Sequence, residues 1–119
     1  MKNLYYILKN KEIIPVDSVI TWAEEFQKQS SIIKQNNFRT ILGKSIFVST
    51  VFIGINTSLN DEKPLLFETM IFGGKHDHYK VKYHTYNEAE EGHEKAVKLA
   101  KSTVISRTIN NILHYFKNG

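Results

Sequence analysis

Residues 45–56 read Ser-Ile-Phe-Val-Ser-Thr-Val-Phe-Ile-Gly-Ile-Asn, and β-branched and aromatic side chains dominate the part from Ile46 to Ile53. Such side chains favour β-strands because they pack well on a pleated surface. The preceding segment, Phe38 to Leu42, has the same character, and Gly43-Lys44 separates the two. This pattern predicts a β-hairpin and places an antiparallel sheet at the centre of the fold.

Further strands are predicted on both sides of this hairpin. The turn-rich segment from Thr57 to Pro64 leads into a strand from Leu65 to Phe72, which Gly73-Gly74 ends. A last strand is expected from His78 to His84, with side chains alternating between its two faces. Residues 5–16 predict a short opening hairpin.

Two helices are predicted to pack on the sheet. The first runs from about residue 17 to about residue 33, places Trp22 and Phe26 on its apolar face, and is followed by a break at Asn36-Asn37. The second begins at the capping box Thr85-Tyr86-Asn87-Glu88. Its apolar stripe includes His93, which we expect to be a hydrogen-bonded core histidine.

These elements define the fold class as α+β. We predict a curved antiparallel sheet of four to six strands packed by two helices, in the order N-terminal hairpin, helix, strand meander and long C-terminal helix. A chain of 119 residues is long enough for one hydrophobic core and too short for two. Residues 1–119 are therefore expected to form a single α+β domain.

Composition narrows the classes of function. The chain has no cysteine, which excludes disulfides, thiolate nucleophiles and cysteine-based metal sites. The formal charge of +4 comes from 14 lysines and two arginines, but a sequence rich in lysine, asparagine and isoleucine is also typical of an AT-rich genome. The charge is therefore weak evidence for a polyanionic partner. Since no signal sequence or apolar run of membrane-spanning length is found, we expect a cytoplasmic protein without a membrane partner.

Polar residues in the predicted strands provide the candidate binding sites. The predicted binding residues are His78, Lys80, Lys82, His84, Arg39 and Glu68. The first four alternate along one strand, so they share a face that can bind phosphates or, as an exposed edge, simply prevent edge-to-edge association. Arg39 and Glu68 are interpreted either as ligand contacts or as a salt bridge on the outer face of the sheet.

Metal binding and catalysis have little support in the sequence. His76-Asp77-His78, joined by His84 or His93, could hold a metal ion, but histidines in a Gly-Gly-Lys turn are more often solvated loop residues. The sequence has no glycine-rich phosphate loop, nucleophile elbow or Ser-His-Asp arrangement. We therefore expect no catalytic residue, no metal, no cofactor and no enzymatic activity.

Four stretches of the chain carry a family resemblance. They are Ile20-Thr21-Trp22-Ala23-Glu24-Glu25-Phe26, Val48-Ser49-Thr50-Val51-Phe52-Ile53-Gly54, Leu65-Leu66-Phe67-Glu68-Thr69-Met70-Ile71-Phe72-Gly73-Gly74 and Tyr83-His84-Thr85-Tyr86-Asn87-Glu88-Ala89-Glu90-Glu91-Gly92-His93. Together they resemble a family of short proteins encoded by bacteriophages and prophages. The Phe-Glu-Thr-Met and Glu-Ala-x-x-Gly-His segments are the most specific parts. The resemblance implies a phage origin, and small non-enzymatic phage proteins often act by binding host machinery.

The chain departs from this family in two places. Glu24-Glu25 stands where a second aromatic residue often follows, and the tail after Ala100 is extended. The tail is a candidate contact for a homo-oligomer through the C-terminal helix, or for a partner surface.

Three functions follow as hypotheses. The leading one is a phage counter-defence or host-takeover protein that binds a host defence protein or ribonucleoprotein complex stoichiometrically in the host cytoplasm. An inhibitor of a CRISPR nuclease complex is an example, with the basic strand meeting an acidic protein surface or guide RNA. The first alternative is a sponge for a signalling nucleotide of a bacterial immune system, which would use Arg39 and Glu68. The second is a metal-dependent nuclease built on His76, His78 and Glu68.

Overall fold

The computed structural model of the protein describes residues 3–58 and 63–101. Its elements are β1 (Tyr5–Lys9), β2 (Glu12–Val16), α1 (Val19–Lys28), β3 (Ile32–Arg39), β4 (Ser45–Phe52), β5 (Phe67–Phe72) and β6 (Lys80–Tyr83), followed by helix α2, which is described over residues 86–101. Strands β1 and β2 form a two-stranded antiparallel sheet, and β3 to β6 form a four-stranded antiparallel sheet in chain order. The α+β fold class is thereby confirmed.

The N-terminal hairpin and α1 form one packing unit. Asn10 turns the chain between β1 and β2 with a φ of 50°, a conformation that asparagine tolerates better than most residues. The Ser18 side chain caps α1 by accepting hydrogen bonds from the amides of Ile20 and Thr21, at 3.2 and 3.4 Å. Trp22 then packs against Phe26 and against the ring of Tyr5 in the hairpin. This confirms the apolar face predicted for the first helix.

The inner face of the four-stranded sheet packs against α2. Side chains alternate along β4 and β5, so that Thr50 lies opposite Thr69 and Phe52 opposite Phe67, all four of them buried. Two apolar clusters fill the space between sheet and helix. One contains Ile46, Val48, Ile71, Ala96, Val97 and Ala100; the other contains Tyr6, Phe52, Leu66, Phe67 and Ala89.

Helix α2 begins as the sequence predicts. The Thr85 hydroxyl accepts a hydrogen bond from the Glu88 amide at 3.1 Å. The Glu88 carboxylate reaches back to accept from the amide of His84 at 3.3 Å, which satisfies a second donor at the start of the helix. Of the two helices within residues 3–58 and 63–101, neither combines the length and apolarity needed to cross a bilayer.

The end of the first helix and the break before the sheet are predicted wrongly. Helix α1 ends at Lys28, and Ile33 lies in β3 instead of on the helix. Asn36 and Asn37 do not interrupt the chain but pair with Val48 and Phe47 inside the sheet. The pairing of a whole strand with β4 outweighs the low strand propensity of two asparagines.

The ends of other strands also differ from the prediction. Ile41 and Leu42 lie in an exposed turn after β3, and β4 stops at Phe52 because Gly54 adopts a φ of 77°. His78 is a turn residue with a φ of 73°, and β6 extends from Lys80 to Tyr83 only. Of the four basic residues predicted to lie on one strand, therefore, only Lys80 and Lys82 lie in β6.

Candidate functional site

His93 of α2 is completely buried against the sheet, and both of its ring nitrogens are hydrogen-bonded. Nε2 lies 2.7 Å from the side-chain oxygen of Asn36, and Nδ1 lies 2.7 Å from the Thr50 hydroxyl. An amide oxygen can only accept, so Nε2 carries the proton and donates it. Burial lowers the pKa of His93 and favours the neutral ring, in which Nδ1 accepts from the Thr50 hydroxyl.

The same network continues across the sheet. The Thr50 and Thr69 hydroxyl oxygens are 2.5 Å apart, and the Tyr83 hydroxyl is hydrogen-bonded to the Thr69 side chain. Because the proton of Thr50 is used on His93, Thr50 accepts from Thr69. Tyr83 joins the network at the Thr69 end, and Asn36 joins it at the His93 end.

Burial dominates the electrostatics of this network. It lowers the pKa of His93 below 6.5, and the nearby Glu94 carboxylate opposes this shift only in part. Burial also raises the pKa of Tyr83. At the rim, Lys34 donates a hydrogen bond to Glu94, which raises the pKa of the lysine and lowers that of the carboxyl group. The buried part of the network is thus uncharged, and its geometry suits a structural role.

Within residues 3–58 and 63–101, no helix packs on the other face of the four-stranded sheet, because both apolar clusters and the described part of α2 lie on the opposite side. We call this surface the open face. By alternation and register, it consists of Gln35, Asn37 and Arg39 of β3, Phe47, Ser49 and Val51 of β4, Glu68, Met70 and Phe72 of β5, and Lys80 and Lys82 of β6. A surface with this mixture of aromatic and cationic side chains can bind a partner.

An aromatic pair lies on the two central strands of the open face. Phe47 and Phe72 are direct cross-strand partners, and their ring centroids are 5.9 Å apart with an interplanar angle of 29°. Phe72 is 42% exposed, although phenylalanine is a side chain that folding normally removes from water. Asn37 lies next to Phe47 in the same row. The pair therefore presents apolar ring surface to the outside.

Cations outnumber carboxylates on the open face. Within the described strands β3 to β6, Glu68 is the sole acidic residue. It lies opposite Lys82 and 3.9 Å from the Lys80 ammonium group. Lys82 donates a hydrogen bond to the Thr57 hydroxyl at 3.0 Å, and Arg39 is exposed at the far end of β3. Because Lys80 and Arg39 are held at most by a loose ion pair, they are available to a partner.

The predicted binding residues are only partly brought together. Lys80 and Lys82 share the open face, as predicted, and Glu68 and Arg39 lie on it as well. The strand register keeps Arg39 apart from Glu68: they pair with Ser45 and Val51, which are six residues apart along β4, or about 20 Å. The expected Arg39–Glu68 salt bridge is therefore wrong, whereas contact of these residues with a ligand stays a prediction.

The two predicted histidines have other surroundings. The side chain of His78 is 86% exposed, and its Nε2 lies 3.1 Å from Asp77 in the turn before β6. His84 follows β6, and its Nδ1 lies 3.0 Å from the carbonyl oxygen of Pro64, to which it donates. Neither histidine extends the row formed by the two lysines.

A groove of about 260 Å³ lies between β6 and α2. It is lined by Tyr79, Val81, Tyr83, Glu88, Glu91, Gly92 and Lys95. The Tyr83 ring lies so close to Gly92 that a methyl group added there would overlap it. The groove thus begins where the buried network ends, and its walls carry both signs of charge.

No metal centre is formed by the predicted residues. Among residues 3–58 and 63–101, no three histidine or carboxylate side chains are grouped closely enough to hold a metal ion. The proposed combination of His76, His78 and Glu68 is therefore not assembled, and neither is a site at His76-Asp77-His78 with His84 or His93. Arg107 and nearly all of the tail after Ala100 lie outside the described residues.

Comparison with known proteins finds no match for this chain. No family model matches the sequence, and no curated protein or solved structure matches it significantly.

Two features of the site were not predicted from the sequence. Asn36 and Thr50 were not recognised as partners of His93, because these contacts span 57 and 43 residues along the chain. The aromatic pair was also missed, although a signal was present: β4 and β5 carry apolar residues at outward positions as well as inward ones. A sheet with one buried face normally alternates apolar with polar residues along each strand. Outward Phe47 and Phe72 depart from this alternation and indicate a binding surface on the face opposite the core.

Proposed function

We propose that this protein is a phage counter-defence protein that binds a host ribonucleoprotein complex, such as a CRISPR nuclease complex, and blocks it without turnover. The open face carries this proposal. It combines an aromatic pair, of which Phe72 is exposed and Phe47 half-buried, with lysine and arginine side chains, and one carboxylate accompanies them on the four strands. The resemblance to short phage-encoded proteins agrees with this function.

The remaining chemistry of the fold supports binding over catalysis. His93 is the side chain best suited to proton transfer, but it is 0% exposed and uses both nitrogens in the network with Thr50 and Asn36. A general acid or base must reach the substrate proton directly or through one water molecule. His93 is instead dedicated to holding α2 on the sheet.

The proposal is tested first in cells. A phage that is targeted by the CRISPR system of a bacterium should again form plaques on that bacterium when the cells express this protein. The variant Lys80→Glu/Lys82→Glu should lose this effect, because it reverses the charge along one edge of the open face. The matched control is Lys28→Glu/Lys98→Glu, which makes the same charge change at exposed positions of α1 and α2.

A second experiment separates binding from catalysis. Purified protein is titrated into a known amount of the purified nuclease complex, and target cleavage is measured. Stoichiometric blocking predicts that activity falls linearly and ends near a fixed molar ratio. If a small fraction of an equivalent inactivates all of the complex given time, the protein turns over and the proposal is wrong.

A further inference from the structure

The geometry of the open face points to single-stranded RNA as its ligand, with bases stacking on Phe47 and Phe72. This inference rests on the proposed function and names the component of the ribonucleoprotein complex that the protein would contact. Single-stranded nucleic acid is bound without sequence preference by aromatic platforms that lie beside cationic grooves. Both parts are present on this face.

The stacking surface has the right size and position. Phe47 and Phe72 lie side by side on the two central strands, with ring centroids 5.9 Å apart and rings inclined by 29°. The two rings are stacked on each other, and a base can stack on the ring surface that this pair leaves accessible, because every base has a π-face. Asn37 lies beside Phe47 and offers an amide that can hydrogen-bond to the edge of a stacked base.

Cations lie on both sides of this aromatic pair. Lys80 on β6 is the cross-strand partner of Met70, two residues from Phe72, and Arg39 on β3 lies two residues beyond Asn37. The outer strands are about 14 Å apart, since neighbouring strands lie roughly 4.8 Å from each other. A strand of two or three nucleotides could cross the aromatic pair with its phosphates near both edges.

The aromatic pair, more than the charge, favours RNA over an acidic protein surface as the main ligand. Lysine and arginine would serve either partner, whereas half-buried Phe47 and exposed Phe72 offer ring surface on which bases stack. Glu68 partly neutralises Lys80 from 3.9 Å, so the cations alone form a weak anion site. In a bound RNA strand, the bases would contact the aromatic pair and the phosphates would contact the cations, so RNA would use both parts of the open face.

The test uses fluorescence anisotropy with a labelled single-stranded RNA of about ten nucleotides, a length within the range that such platforms bind. The same sequence is offered as an RNA duplex and as a DNA strand. We expect the single RNA strand to bind more tightly than the duplex. Phe72→Leu keeps an apolar side chain without the aromatic ring and should weaken binding about tenfold or more. Its matched control is Ile20→Ala, which changes an exposed apolar residue of α1.

The salt dependence tests the pairing of cations with phosphates separately. Removing one cation that neutralises a phosphate of a single strand should reduce the slope of log K against log salt by about 0.7. Lys80→Gln should show this reduction, whereas Lys28→Gln on α1 should leave the slope unchanged. Absence of RNA binding, equal binding of the duplex, binding confined to DNA, or wild-type affinity in Phe72→Leu would each overturn the inference.

These outcomes are distinct from failure of the proposed function. If the protein blocks the nuclease complex at a fixed ratio but binds no isolated RNA strand, the partner surface is protein and only this inference fails. If it binds RNA as described but never restores plaques, the ligand assignment stands and the counter-defence function fails.

Discussion

The buried imidazole of His93 is held neutral by its surroundings. One nitrogen donates to Asn36 and the other accepts from Thr50, so a second proton on the ring would require the Thr50 hydroxyl to reorient and accept instead. Burial adds a desolvation penalty for the charged form, and Lys34 adds repulsion, while Glu94 alone favours the cation. The protonation of His93 therefore makes the stability of the folded protein depend on pH.

The first prediction concerns this pH dependence. The pKa of His93 is lowered in the folded state, so the unfolded chain binds the extra proton first as the pH falls. The contribution of His93 to stability should be fully present above about pH 6.5, the ordinary value, and should decrease as the pH falls below it. Urea midpoints measured between about pH 5 and 7.5 should show this decrease in the wild type.

The matching variants separate His93 from other histidines. His93→Gln should be less stable at every pH and should have a flatter profile over this range. His78→Gln, at a residue whose side chain is 86% exposed, should keep the wild-type slope. A profile of His93→Gln that parallels the wild type would contradict the assignment.

The second prediction concerns the donor to His93. Thr50→Val preserves shape but removes the hydroxyl, which leaves Nδ1 buried without a donor and Thr69 without its acceptor. Unsatisfied buried polar groups cost roughly 1–3 kcal/mol each, so we expect a loss of about that size in the free energy of unfolding. Thr21→Val, the same change at an exposed position of α1, should cost far less. Urea denaturation measures both.

At the scale of elements, α2 is positioned by two adjacent residues. His93 points its ring into the sheet, while Gly92 leaves room for the Tyr83 ring of β6. Any side chain at Gly92 would collide with the Tyr83 ring and its hydroxyl. The Gly-His pair thus fixes how closely the helix approaches β6, and Thr85 fixes where the helix begins.

The third prediction tests this close approach. Alanine is a better helix former than glycine by about 1 kcal/mol, so Gly92→Ala would stabilise an isolated helix. In this protein it should destabilise, because it displaces Tyr83 and breaks the bond to Thr69. In a Tyr83→Ala background the same change should become neutral or stabilising. Thermal denaturation of the four proteins measures the coupling; additive effects would show that Gly92 and Tyr83 do not interact.

Local signals in the sequence explain which elements could be predicted. The β-rich residues of β4 and β5, and the capping box at Thr85, each act over a few residues and were interpreted correctly. Strand β3 was misplaced because Asn36 and Asn37 depend on partners far along the chain. Asn36 is satisfied by His93, and both residues are paired with β4. The same distinction applies to the candidate site. That Lys80 and Lys82 share a face follows from the alternation within one strand, so it could be predicted. The distance between Arg39 and Glu68 depends on the order and register of the strands, so it could not.

At the scale of the molecule, a polar layer divides the core. Thr50 lies between Val48 and Phe52 on β4, and these two residues belong to different apolar clusters. Thr69 divides β5 and His93 divides α2 in the same way, so three elements place a polar group at one level. Sliding the helix along the sheet would bury His93 against apolar side chains. The layer therefore specifies a single position of the helix.

The last prediction follows from this arrangement. The variant Thr50→Val/Thr69→Val/His93→Leu removes donors and acceptors together, and the groups left behind at its ends, Asn36 and Tyr83, are half-buried and can be hydrated. Replacing all partners of a buried polar network by apolar groups of similar shape is often neutral or stabilising, whereas removing one partner is costly. The triple variant should therefore unfold at a higher urea concentration than Thr50→Val alone. If the polar layer provides specificity, the NMR spectrum of the triple variant should nevertheless show broadened or multiple resonances for α2, because the polar groups that specify one level along the sheet are then absent. A triple variant whose loss of stability equals the sum of the three single losses would show that the three side chains act independently and do not form one layer.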